Sequence, residues 1–212
     1  MDIYASDEEK GEDIKRWWRE NGPTVIVAVV LGVAILLSGR YWLSQEKMLA
    51  TSASFLYQQT AQLITEGKAV EAEPIVDELF SSYASTPYAI FAAFEMAKHN
   101  VDIGDVEGAK PYLDWVITNG DLSGQINIAR LRLGRLLLEQ GQFDEALVVI
   151  REVKAVEFKS LINELSGDIY ISQKKRSEAA IAYTTALGLL EQSDPRGLIL
   201  KLKLDDVAGL KK

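Results

Sequence analysis

LGRLLLEQGQFDEALVVIREV, residues 133–153, is the stretch from which the fold of this chain can be predicted. Its pattern returns at residues 166–186, SGDIYISQKKRSEAAIAYTTA, with an offset of 33 residues. Both stretches contain a turn residue followed five positions later by alanine. The same signature occurs again 37 residues upstream of residues 133–153, and once more after a further 37 residues. The four pairs are Gly67 and Ala72, Gly104 and Ala109, Gly141 and Ala146, and Lys174 and Ala179. Four units in one phase predict a helical repeat.

The spacing has a physical explanation in a pair of antiparallel helices. A small residue at Ala97, Gly134 or Gly167 lets the two helices approach closely. A glycine in the turn adopts positive φ and ends the first helix, and the alanine lies where the helices cross. Because one pair cannot bury its apolar face alone, neighbouring pairs must stack. We therefore predict an all-α solenoid of about four helix pairs, with eight repeat helices.

This pattern resembles the tetratricopeptide repeat. It departs from that repeat where Arg130 and Asn163 replace an early aromatic residue, and in lacking the closing proline. The first two units match less well, and their longer offsets predict extended turns at SSYASTP (81–87) and NGDLSG (119–124).

The C-terminal segment predicts a capping helix. Ser193-Asp194-Pro195 is a helix start signal, so residues 196–212 are expected to form a helix or tail. Leu198, Leu202 and Leu204 are expected to cover the open face of the last repeat.

The segment KRWWRENGPTVIVAVVLGVAILLSGRYW, residues 15–42, predicts a membrane anchor. Nineteen residues between Glu20 and Arg40 carry no charge, and as a helix they span about 28 Å, close to the thickness of the hydrocarbon layer. Pro23 falls near the first turn, where a missing N–H is tolerated. Aromatic side chains, which favour the membrane–water interface, mark both edges: Trp17, Trp18, Tyr41 and Trp42.

Two other interpretations of this segment are weaker. A cleavable signal peptide needs a site with small residues after its apolar core, but Arg40, Tyr41 and Trp42 follow Ser38 and Gly39. A buried core helix of a globular protein would be polar on one face, and this segment has no polar face.

The flanking charges predict the orientation. Lysine and arginine are enriched on the cytoplasmic side of a membrane helix, and four of them precede the helix (Lys10, Lys15, Arg16, Arg19) whereas Arg40 and Lys47 follow it. The expected domains are a cytoplasmic tail (1–20), the transmembrane helix (21–42), a helical stalk (43–54), the repeat domain (55–195) and the capping segment (196–212). The beginning of the tail, 1–13, is expected to be disordered or helical only near the membrane, as a solvated leader or a docking peptide.

Composition argues against several functions. The chain has no cysteine, one histidine (His99) and a net charge of −8, so it lacks thiolate ligands, histidine pairs and the basic excess of a nucleic-acid binder. Paired carboxylates at Asp144-Glu145 and Asp205-Asp206 are more typical of solvated helix faces than of acid–base catalysis. We predict no enzymatic activity, no cofactor, no metal and no small-molecule substrate.

The N-terminal motifs MDIY (1–4), KRWWRENG (15–22), LGV (31–33) and RYW (40–42) resemble the YfgM family of ancillary subunits of the bacterial SecYEG translocon. This resemblance implies an inner-membrane protein with a periplasmic repeat domain. It also implies association with SecYEG and the membrane-anchored chaperone PpiD, with nascent secretory chains as a further candidate partner. The alternative is an envelope scaffold of another complex, such as cell division or wall assembly.

By analogy with the repeat fold, partners are expected on the concave face formed by the first helix of each pair, here called the first-helix face. Exposed aromatics beside charges suit a peptide or a partner helix. The alternative is that several of these residues pack in the core. The residues are Phe91, Phe94, Lys98, Leu131, Arg135, Leu138, Glu164, Asp168 and Ile171.

Overall fold

The computed structural model describes residues 7–191 and 193–209, and these residues contain nine α-helices and no β-strand. The helices are α1 (Asp7–Thr65), α2 (Ala69–Ser82), α3 (Pro87–Asp102), α4 (Val106–Asn119), α5 (Ser123–Glu139), α6 (Phe143–Arg151), α7 (Lys159–Ser172), α8 (Arg176–Gly188) and α9 (Arg196–Ala208). The predicted all-α class is confirmed. The first six residues of the predicted tail, Gln192, and residues 210–212 of the predicted capping segment lie outside the described residues.

The chain forms two compact units, residues 1–51 and residues 52–212. The described part of the first unit is entirely helical. Its most apolar 18-residue window has a mean hydropathy of 2.3 and is 6% buried, so α1 is long and apolar enough to cross a membrane. Two local predictions were wrong: residues 7–13 are already helical, and Pro23 therefore lies inside α1 and not near its first turn.

The second unit is built from helix pairs. The end of α1 (residues 52–65) precedes α2, and the following pairs are α3 with α4, α5 with α6, and α7 with α8. Ala53, Val76 and Met96 belong to a buried cluster that joins the end of α1 to α2 and α3. A larger central cluster joins α3 through α7, and a third joins α8 to α9. Partly buried aromatic residues pack against neighbouring clusters, Trp115 against the first two and Tyr170 against the last two, so each helix pair packs on the next, as a repeat solenoid requires.

The four turns inside the pairs share one geometry. Their residues with positive φ are Gly67 (+73°), Gly104 (+82°), Gly141 (+74°) and Lys174 (+62°). In each turn the next residue donates its N–H to a carbonyl five residues back, as in Gln142 N to Leu137 O at 2.8 Å. This bond is typical of a helix that ends in a left-handed residue. The turns lie at the four positions that the repeat predicts.

Exchanging turn residues between repeats should change stability in opposite directions. Lys174→Gly removes a left-handed side-chain strain of about 1 kcal/mol and should raise the free energy of unfolding by about 0.5 kcal/mol after the entropy of glycine is subtracted. Gly141→Lys should lower it by a similar amount, about 0.5–1 kcal/mol. A Cβ at Gly141 would meet no atom closer than 4.0 Å, so conformation and not crowding is tested. Urea unfolding monitored by circular dichroism measures both, and a shift in the same direction would contradict the explanation.

Small residues allow the paired helices to approach closely. A Cβ at Gly134 would lie 2.4 Å from Ile150 Cγ2, and one at Gly167 would lie 2.4 Å from Tyr183 Cε1. The alanines of the repeat signature, Ala72, Ala109, Ala146 and Ala179, are all 0% exposed. The helices therefore cross where the sequence places its smallest residues.

The extra residues of the first two repeats lie in helices and not in turns. The segments after the first two pairs are only residues 83–86 and 120–122, whereas the segment between the last two pairs, 152–158, is longer and includes a turn of 3-10 helix. The helix α6 has nine residues, against 14 in α2 and 14 in α4. The extended turns predicted at 81–87 and 119–124 were therefore wrong, and the 37-residue offset reflects longer helices.

The helix α9 packs on α8 through a different side from the one predicted. Leu200 is 0% exposed and Val207 is 8% exposed, and Leu204 packs against the same cluster. Leu198 and Leu202 are 67% and 61% exposed. The predicted covering role is thus correct for Leu204 and wrong for Leu198 and Leu202.

Candidate partner-binding face

The predicted face residues are distributed over three first helices. Phe91, Phe94 and Lys98 lie on α3, Leu131, Arg135 and Leu138 on α5, and Glu164, Asp168 and Ile171 on α7. Leu131 is only 8% exposed, and Leu138 is half-buried against the central cluster. These two leucines contribute to the core, so the accessible part of α5 is formed by other residues.

Aromatic side chains line the beginning of the face. Tyr57, near the end of α1, and Tyr88 and Phe91, on α3, form a cluster with ring centroids 5.9–6.1 Å apart. Phe91 remains 41% exposed. Burial and the nearby charge of Glu95 raise the pKa of Tyr57, so its phenol stays protonated at neutral pH. Tyr57 and Tyr88 were not predicted, because their contribution depends on contact between two repeats.

A cavity of about 230 Å³ follows between α3 and α5. It brings together Lys98 and Arg135, both predicted, with Arg132, which was not. The Arg132 guanidinium lies 4.6 Å from the centre of the Phe94 ring, a cation–π contact. The other lining residues are Ala97, Val101, Leu113, Leu136 and Glu139. The centre of the face therefore combines an apolar surface with arginine side chains.

The acidic end of the face is bound by the chain's own C-terminal helix. Lys203 Nζ on α9 donates to Glu164 Oε1 at 3.0 Å and to Asp168 Oδ1 at 2.8 Å. Tyr183 Oη donates to the same Asp168 oxygen at 2.7 Å. Burial alone would lower the pKa of Lys203, but hydrogen bonds and charges from Asp168 and Glu164 outweigh it and the pKa is raised. Ile171 packs beside the α8–α9 cluster. These contacts hold α9 against α7 and α8 and stabilise its packing.

The predicted membrane-edge residues all lie on α1. Trp17 and Trp18 are 53% and 51% exposed, and Tyr41 and Trp42 are 67% and 81% exposed. Rings that protein does not cover are available to an interface between lipid and water.

The histidine and one of the carboxylate pairs considered for catalysis or metal binding lie at helix ends. His99 lies in the last turn of α3. Asp144 and Glu145 lie in the first turn of α6, where negative charge favours the helix dipole. Within residues 7–191 and 193–209, no group of three or more histidine or carboxylate side chains is placed to hold a metal ion.

Comparisons with known proteins agree with this architecture. A family model described as a tetratricopeptide repeat-like domain matches residues 15–209. The chain is 29% identical to the ancillary SecYEG translocon subunit of Escherichia coli over 86% of this chain and 88% of that protein. The proteins of the same name from Haemophilus influenzae and Neisseria gonorrhoeae are 27% and 26% identical, each over 98% of this chain and 100% of the relative.

These relatives confirm the resemblance to the YfgM family that the N-terminal motifs indicated. The match from residue 15 to residue 209 includes both the apolar helix and the whole set of helix pairs. The chain belongs to the tetratricopeptide repeat-like domain family.

Proposed function

We propose that this chain is a non-enzymatic, single-pass inner-membrane subunit that associates with the SecYEG translocon. The observation that carries the proposal is the full-length match to ancillary SecYEG subunits, which spans 98% of this chain and 100% of two relatives. A single apolar helix followed by a repeat domain supports a role in binding, since helical repeats present extended surfaces to other proteins.

The proposed mechanism is local concentration. A membrane anchor beside a channel keeps a binding domain close to it, so a partner of that domain meets the channel at high effective concentration. The partners we propose for the first-helix face are a PpiD-like membrane-anchored chaperone and nascent secretory chains. The proposed segments remain a tail (1–20), an anchor (21–42), a stalk (43–54), the repeat domain (55–195) and a cap (196–212).

Co-purification tests the proposal against the alternative envelope scaffold. Membranes are solubilised in mild detergent, the chain is captured through a C-terminal tag, and co-eluting proteins are identified by mass spectrometry. We expect SecYEG and a PpiD-like chaperone above the level found with an unrelated tagged single-pass protein. An eluate that holds cell-division or wall-assembly proteins in their place would support the alternative.

The proposed orientation can be tested separately. Protease added to spheroplasts should digest the domain that follows α1 and leave an N-terminal tag protected, because the lysine and arginine excess before the helix favours the cytoplasmic side. Immunoblots against tags at both ends measure this. Loss of the N-terminal tag with survival of the C-terminal tag would show the opposite topology.

The two surfaces are expected to have separate partners. The anchor contains small residues, Gly32 and Gly39 among them, and a Cβ at either glycine would meet nothing within 4 Å; small residues permit close packing of another membrane helix. Replacing residues 21–42 with an unrelated transmembrane helix should weaken recovery of SecYEG and spare the chaperone. Phe91→Ala with Arg135→Glu should do the reverse. If both variants, folded and inserted, lose both partners, one composite surface must serve both.

A further inference from the structure

We propose that the cavity between α3 and α5 binds an acidic protein segment that carries an apolar side chain. This inference rests on the proposed role of the first-helix face in partner binding, and it specifies the chemistry of the partner. The cavity is lined by residues of α3, α4 and α5.

The charges at the cavity favour an acidic partner. Among the described residues, neither Arg132 nor Arg135 has a carboxylate within ion-pair distance. Lys98 is paired with Asp102 at 2.7 Å, and Glu139 is the acidic residue of the lining. The two arginines therefore leave an excess of positive charge at the cavity. Arginine binds carboxylates with two parallel hydrogen bonds, so a carboxylate fits these side chains well.

The positive charge at the cavity is opposite to the net charge of the surrounding domain. After Tyr41 the chain has 18 lysines and arginines against 24 aspartates and glutamates. An acidic partner is repelled by most of such a surface and is attracted at the arginines. Electrostatic complementarity of this kind fixes where a partner docks and in which register.

The cavity also has an apolar lining beside the arginines. Ala97, Leu113 and Leu136 are 3%, 2% and 4% exposed, and Val101 is 38% exposed. An apolar side chain placed there would remove the remaining apolar surface from water. The contact between Arg132 and the Phe94 ring holds one guanidinium in place before binding, which reduces the entropy lost when a carboxylate binds.

A folded or extended protein segment fits these features better than a membrane or a nucleic acid. A lipid headgroup or phosphate backbone would use the arginines but not a small apolar depression beneath them. A nucleic acid also needs a broad basic surface, which this acidic domain lacks. An anionic membrane is the competing ligand that the experiment must distinguish.

The test uses the full chain in neutral detergent and fluorescent dodecapeptides. The probe has four glutamates around a Leu-Phe centre, and three matched peptides replace its glutamates with glutamine, its glutamates with lysine, or its Leu-Phe with Ser-Ser. Fluorescence anisotropy should show at least tenfold weaker binding of each matched peptide than of the probe. A higher salt concentration should weaken binding of the probe, because salt screens the attraction between exposed charges.

Paired variants locate the site. The double variant Arg132→Glu with Arg135→Glu should bind the probe at least tenfold more weakly than the wild type. Arg151→Glu with Lys201→Glu changes the net charge equally at exposed positions on α6 and α9 and should leave binding unchanged. Circular dichroism and thermal unfolding confirm that both variants fold.

Three results would overturn the proposal: no measurable binding of the probe, equal or tighter binding of the lysine peptide, or equal effects of the two paired variants. Binding of short-chain, water-soluble phosphatidylglycerol by the wild type in the same detergent, weakened at least tenfold in the Arg132 and Arg135 variant and without peptide binding by the wild type, would assign the arginines to lipid. The proposed function is tested independently, because SecYEG would still co-purify with the wild-type chain if only the peptide assay failed.

Discussion

Replacing Ala146 with leucine should lower the free energy of unfolding by about 2–3 kcal/mol, since overpacking a close helix contact typically costs about 1–3 kcal/mol. Ala146 is 0% exposed and lies where α6 crosses α5. A Cβ on Gly134 of α5 would lie 3.7 Å from the Ala146 carbonyl oxygen and 2.4 Å from Ile150 Cγ2. The two backbones therefore leave no room for a larger side chain, and leucine must push the helices apart.

A matched control separates crowding from added hydrophobicity. Val148→Leu also enlarges an apolar side chain of α6, but Val148 is 60% exposed, so the free energy of unfolding should change by no more than about 0.5 kcal/mol. Urea and thermal unfolding of both variants, with the tag and detergent held constant, provide the comparison. An unchanged midpoint for Ala146→Leu would contradict the crossing geometry.

The positions of the turns and crossings could be predicted from sequence because few residues satisfy them. A left-handed turn favours glycine, and a close helix crossing requires glycine or alanine, so Gly141 and Ala146 are individually informative. Lys174 is the instructive exception, since it adopts the same left-handed conformation at φ +62°. The repeat spacing identified it when its residue type could not.

Helix ends and helix rotation were harder to predict. Leucine occurs at every second position from 198 to 204, and a helix with 3.6 residues per turn cannot bury all four. The chain buries Leu200 and half-buries Leu204, and Val207, which shares their face, favours this choice. Because leucines alternate along α9, their spacing does not show which side of the helix packs against α8.

The cavity between α3 and α5 contains only some of the residues predicted for the first-helix face. On α5 the sequence favoured Leu131, Arg135 and Leu138, whereas Arg132, Arg135, Leu136 and Glu139 line the cavity. Successive helical residues are separated by about 100° around the axis, so an error of one position exchanges a surface residue for a core residue. Contacts between repeats, such as that of Arg132 with Phe94, are not encoded in the spacing of one helix.

Replacing Lys203 with glutamate should lower the free energy of unfolding by about 2–3 kcal/mol, and Lys203→Met by about 1–2 kcal/mol. Removing one partner of a fully buried ion pair costs about 3–5 kcal/mol. The loss expected here is smaller because solvent screens partly exposed charges. The side chains of Lys203, Glu164 and Asp168 are 30%, 15% and 30% exposed. Methionine keeps the apolar stem and removes the charge. Glutamate adds a third carboxylate to the two on α7.

The control is Lys201→Glu, an exposed position on the same helix, which should change stability by no more than about 0.5 kcal/mol. The alkaline pH dependence distinguishes an ion pair from simple packing. Hydrogen bonds and charges from Asp168 and Glu164 raise the pKa of Lys203 above its ordinary value of 10.5, so the stability that its charge contributes is present at neutral pH and is lost as the pH rises through the raised value; the difference between wild type and Lys203→Met should therefore shrink above pH 10.5. Urea titrations at neutral pH and above pH 10.5 measure it. A difference independent of pH would mean that Lys203 fastens α9 through its apolar stem, and that its charge contributes little.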